Sequence, residues 1–149
     1  MKAWILLPVM ALCAGALIPV QAAANATLSK SIGSVVYSAA LLFLVGLVFI
    51  GSYVLVNRSP LPSLTSFMSA PAYSYVGGVI VATYVLSITF LAPRMGVGNA
   101  ICFIVTGQIL VAVLIDHFGW LGATQTSLSI SRGIGVTLMI IGLFLARKS

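Results

Sequence analysis

The sequence predicts an all-α protein, a polytopic transmembrane helix bundle of five spans, and three observations carry that reading. Of 149 residues, 61% are hydrophobic and 5% are charged, with a mean hydropathy of +1.22. A water-soluble domain carries about 25% charged residues because it must present a wet surface, and this chain cannot clothe one. The apolar residues fall into five runs separated by short polar or proline-containing segments. The seven Lys and Arg residues sit at the ends of those runs, single or as one pair. Basic side chains so placed snorkel to lipid headgroups. Their scatter excludes a phosphate-tracking patch, so the net charge of +6 points to no nucleic-acid partner. The expected partner is the lipid bilayer.

The first span is placed at about 3–24, with Pro8 and Pro19 inside it. Prolines in a membrane helix release backbone carbonyls, so a bent helix is expected. Lys2, the apolar run and Gln21-Ala22-Ala23-Ala24 imitate a secretory signal. The run from Ala3 to Val20 exceeds a signal core of about 7–15 residues, which favours a retained span. Ala26 to Gly33 reads as a polar turn holding Lys30, and the second span covers 34–56. Pro60 and Pro62 break the helix in the longest linker, Asn57 to Pro71, where Ser63 to Ala70 has room for one or two interfacial turns. The third span is placed at 72–92, with Tyr73 and Tyr75 as interface anchors at its start. Pro93-Arg94-Met95-Gly96 makes a tight connection to the fourth span, 98–115. The fifth, 129–146, is short: 14 residues between Arg132 and Arg147 give about 21 Å of helix. No internal repeat is visible, so 1–149 reads as a single transmembrane domain.

Small residues recur at helix-packing spacing in Ala11 and Gly15, Gly78 and Ala82, and Gly135 and Gly142. Cys13 and Cys102 lie in apolar runs with no CxxC or Cys/His spacing. They read as small hydrophobes, and no metal, disulfide or cofactor is expected.

Few side chains remain to carry chemistry. Asp116 is the only acidic residue and closes the fourth span, where it can reach water or pair with Arg94 or Arg132 to gate or pin helix ends. His117 follows it as a helix-end group. Gln108 lies eight residues earlier, about 12 Å along the helix and near mid-membrane, where a neutral amide needs a helix or a solute as partner. Gln21 and Asn25 share one face at i,i+4 and can bond each other or a neighbouring helix. Tyr84 sits mid-span beside Thr83 and Ser87, with a hydroxyl that also wants a partner. Gln21, Asn25, Tyr84 and Gln108 are the candidate substrate-binding set. With one carboxylate, one adjacent His and no nucleophile, metal or phosphate constellation, an enzyme is not expected.

The basic residues also bear on orientation. Lys2, Arg58 and Arg132 fall on one face of a five-span chain; Lys30, Arg94, Arg147 and Lys148 fall on the other. Orientation follows a Lys/Arg excess in short cytoplasmic loops, and almost none exists here. Such a chain is expected to insert both ways up.

Pro19-Val20-Gln21 with Asn25 and Leu28, then Ala92-Pro93-Arg94-Met95-Gly96, Gly107-Gln108 and Asp116-His117-Phe118-Gly119, resemble the YdcZ-like family. That family consists of small proteins of the drug/metabolite transporter superfamily. The resemblance covers nearly the whole chain in order. It implies a five-helix protein of the bacterial inner membrane, similar to one half of the ten-helix transporters built from inverted repeats. It further implies a secondary transporter of a small metabolite or drug-like solute, and the balanced loops fit the family's single, dual-orientation members working as antiparallel homodimers. Small multidrug resistance proteins carry a membrane-embedded Glu in their first helix. Gln21 and the absence of a carboxylate here point instead to a neutral or zwitterionic solute. The competing reading is a membrane scaffold or regulatory subunit whose amides serve only as interhelical glue.

Overall fold

The computed structural model describes residues 2–147, without the side chains of 2–4 and 147. The anchors Lys148 and the side chains of Lys2 and Arg147 lie outside the described residues. Every regular element among those residues is helical. The chain divides into two units, Met1–Arg94 and Met95–Ser149.

In the first unit, α1 covers Lys2–Ile32 and α2 covers Val35–Val56. The polar turn expected at Ala26–Gly33 is not there; α1 stays helical to Ile32. The physical reason lies in the hydroxyls. Thr27 donates to the Ala23 carbonyl (3.0 Å) and Ser31 to that of Thr27 (3.1 Å), so both bond within the helix instead of opening it. α1 ends at Gly33, whose positive φ of 75° suits a residue without Cβ and whose N–H reaches the Ser29 carbonyl. Ser34 then caps α2 by accepting from the Tyr37 N–H.

α1 and α2 touch through small residues beside their turn. Ala22, Asn25, Ala26 and Ser29 recur at the three- and four-residue spacing of one helical face, and all are buried, as are Ser38 and Ala39 on α2. The Ser38 hydroxyl donates to the Asn25 carbonyl at 3.2 Å across that seam. Away from the turn the burial stops: residues 5–20 of α1 are exposed throughout. The expected small pairs play no such part. A Cβ added at Gly15, Gly78, Gly135 or Gly142 meets nothing within 4 Å among the described residues. Between α1 and α2 the close contact is instead made by alanine, serine and Asn25 beside their turn, where the loop holds the two helices together.

After Asn57, Ser63 caps a six-residue helix, α3 (Leu64–Ser69), by accepting from the Ser66 N–H. A 3-10 turn at Ala72–Tyr75 follows, and the Tyr75 hydroxyl donates to the Phe67 carbonyl at 2.6 Å, tying turn to α3. α4 (Val76–Met95) buries Val85, Ile88, Thr89 and Ala92, again one helical face. It runs past the expected end at 92 and carries Pro93 in its last turn.

Gly96 alone, at φ 86° and ψ 146°, separates α4 from α5 (Val97–Phe118). α5 extends three residues beyond the expected 115, so Asp116 and His117 occupy its last turn, and Gly119 closes it in the left-handed region. A 3-10 turn at Trp120–Gly122 and an extended stretch lead to α6 (Ile130–Arg147). α5 and α6 pack together, with Phe103 and Phe144 edge-to-face at 5.7 Å.

Among the described residues, four helical segments can cross a membrane by length and composition: Ile5–Ile32, Val35–Val56, Ala72–Met95 and Val97–Phe118. Ile130–Ala146 is a shorter apolar helix. The fold is a helical membrane bundle, as its composition implies.

Candidate functional site

Asn25 is the most constrained of the predicted residues. It is 5% exposed, and among the described residues its side-chain nitrogen has no hydrogen-bond partner. Of the two partners open to it, neither Gln21, half-buried one turn before it, nor a neighbouring helix takes that nitrogen there. A buried amide donor without an acceptor costs about 1–3 kcal/mol. Its backbone carbonyl, by contrast, accepts from both its own helix and Ser38.

A second unpartnered atom belongs to a residue that the sequence reading did not single out. Thr89 in α4 is fully buried, and its hydroxyl has no partner among the described residues. Four other helical threonines, Thr27, Thr83, Thr106 and Thr137, each donate to the carbonyl four residues back. Thr89 does not. Pro93 stands four residues after Thr89 and brings no N–H to its carbonyl, so the helix bond normally formed there is missing. A threonine four before a proline was the available signal.

The remaining candidates are more open. Tyr84 is half-buried one residue before the buried face of α4. Gln108 and Gly107 lie on an exposed face of α5. Arg94 folds back on its own helix, donating to the Phe90 carbonyl at 2.6 Å with its guanidinium 3.5 Å from the Phe90 ring centre. There it meets the negative end of the α4 dipole.

Asp116 pairs with Arg132, both side chains being partly exposed. The short α5–α6 connection places them together: Thr126 N–H donates to the Asp116 carbonyl (2.8 Å), and Arg132 donates to the Thr126 carbonyl (3.1 Å). Of the two partners open to Asp116 in the sequence, the described structure pairs it with Arg132.

A shallow apolar crease with no room for a bound solute lies between α5 and α6, lined by Cys102, Phe103, Thr106, Leu143 and Phe144. None of the four candidate substrate-binding residues lines it. Among the described residues no group of His, Cys, Asp and Glu has the arrangement to hold a metal.

Comparison with known proteins adds one finding. The profile of a family described as "Putative inner membrane exporter, YdcZ" matches residues 6–145. No curated protein and no solved structure matches the chain.

Proposed function

This chain belongs to the YdcZ inner membrane exporter family, a multi-pass protein of that membrane, and on that premise we propose a secondary transporter of the drug/metabolite transporter type. It carries a small neutral or zwitterionic solute and works as an antiparallel homodimer. The observation that carries the reading is the Asn25 amide, buried in a helix of membrane-crossing length with its nitrogen unpartnered. An amide donor so placed is costly, and a bound solute with a carbonyl or hydroxyl oxygen would supply the acceptor it lacks. Asn25, Gln21, Tyr84 and Gln108 supply amide and hydroxyl groups, which suit a solute bearing carbonyl or hydroxyl groups better than a bare cation. Asp116 and Arg132 hold the α5–α6 end as a gate, and Arg94 anchors the end of α4. No catalytic step is assigned, and no cofactor enters the mechanism.

Two copies in opposite orientation supply the two inverted halves that such transporters require. The nearly even division of Lys and Arg supports both insertions. Reporters fused after Ser149 are expected to be active both in the cytoplasm and when exported. Strict one-sidedness removes the antiparallel arrangement.

The function is tested by thermal stabilisation of the purified protein against neutral metabolites, zwitterionic metabolites and amphiphiles, followed by flux in proteoliposomes for each stabilising solute. At least one neutral or zwitterionic solute is expected to stabilise and to move. If none does either, the scaffold reading replaces transport. Gln108→Leu is expected to abolish that flux while leaving insertion and dimerisation intact, because its exposed amide would face the partner copy's half of the cavity. Unchanged flux reassigns Gln108 to a contact with no bearing on cargo.

A further inference from the structure

The α5–α6 connection is held by an imidazole in an unusual role. His117, in the last turn of α5, accepts the Leu128 N–H at Nδ1, 3.1 Å away, across eleven positions of chain. Its own backbone carbonyl accepts the Gln125 side-chain amide at 3.2 Å, and its neighbour's carbonyl accepts Thr126 N–H. Leu128 immediately precedes Ser129, whose hydroxyl accepts the Arg132 N–H at the start of α6. The imidazole therefore fixes the linker two residues before α6 begins.

An imidazole ring nitrogen accepts only while it carries no proton; the imidazolium has two donors and no acceptor. The ionisable groups around it are few. Asp116 and Arg132 face the same connection and are paired with each other, and no residue from 119 to 131 is ionisable. A proton on His117 would set a donor against the Leu128 N–H and add positive charge near both Arg132 and the positive N-terminal end of the α6 dipole. It would also offer Asp116 a second cationic partner. The lost acceptor and the repulsion from Arg132 and the α6 end loosen the connection, while the α5 dipole and Asp116 favour the proton itself.

We propose that the α5–α6 connection is a proton-operated latch, closed by the Leu128 N–H bond to neutral His117 and released when Nδ1 is protonated. The latch stands on residues of one unit and does not depend on the transport reading; where transport holds, it makes the position of α6 in each copy responsive to pH on the face that copy's own α5–α6 connection meets.

The test is hydrogen exchange of the full chain in lipid nanodiscs, followed at the 119–131 segment at about pH 5.5 and about pH 8. Rates are corrected for the intrinsic pH dependence of exchange. In the unaltered protein, protection at Leu128 is expected to fall about tenfold at the lower pH, the weight of one ordinary hydrogen bond. His117→Asn places an amide oxygen near the position of Nδ1 and does not titrate, so it should keep protection at both pH values. His117→Leu should lack it at both. Equal corrected protection of the unaltered protein at the two pH values overturns the latch. So does an acid-induced loss of the same size in His117→Asn, which would assign the response to Asp116.

Discussion

Replacing Asn25 with leucine is expected to abolish solute flux and, at the same time, to stabilise the protein. The two effects come from one atom. The unpartnered Asn25 nitrogen is buried at the α1–α2 seam, so removing it relieves a desolvation penalty of about 1–3 kcal/mol. Thr89→Val is expected to act the same way more mildly, since valine keeps the shape of threonine and deletes the hydroxyl that has no partner. Stability gained where function is lost is the signature of a polar group kept for a ligand. Thermal unfolding in detergent and flux in proteoliposomes read the two arms. Loss of stability in Asn25→Leu would mean that the amide is bonded in the membrane and acts as interhelical glue. Raised stability with unchanged flux would leave Asn25 outside the pathway.

The second large effect is expected at Gly96. Its φ of 86° with ψ of 146° lies where essentially only glycine is found, and it is the single residue between α4 and α5. Gly96→Ala should therefore cost about 1–3 kcal/mol of backbone strain and lower the melting midpoint by several degrees. Two residues on, Gly98 lies inside α5 with open space beside it. Gly98→Ala should change stability in the opposite direction, by about 0.5–1 kcal/mol, because alanine favours the helix. If both substitutions behave alike, the one-residue joint is not held in that conformation.

Much of this fold was legible because apolar runs and breakers act locally. Pro60 and Pro62, two residues apart beside polar Asn57 to Ser59, leave no helix between them, and Ser63 can cap the turn that follows without help from the rest of the chain. The end of α1 was misread because Thr27 and Ser31 look like turn residues until their hydroxyls are seen bonded one turn back. The ends of α4 and α5 were placed too early for a related reason: Pro93 and Asp116 are tolerated in a last turn, where fewer helical bonds remain to be broken. The partner of Asp116 was open for a different reason. Arg94 and Arg132 have the same chemistry in sequence, and only the folding of the 119–129 segment over the end of α5 distinguishes them. The four candidate substrate-binding residues were chosen for polarity and depth, which sequence reports. Whether a side chain is exposed, as for Gln108, or buried without a partner, as for Asn25, depends on neighbours that periodicity does not reveal. Thr89 escaped notice because threonine is ordinary in an apolar helix. Only its missing back-bond sets it apart.

The length of α1 has a consequence for the membrane around it. Its 31 residues make a rod of about 46 Å, against roughly 30 Å of hydrocarbon in an ordinary bilayer. The surplus is taken up by leaning, by flexing at Pro8 or Pro19, or by carrying the polar turns around Thr27 and Lys30 out among the headgroups. Where leaning takes it up, acyl-chain length becomes a mechanical input, because a thicker leaflet pair lets the rod stand straighter and swings the face that carries Asn25.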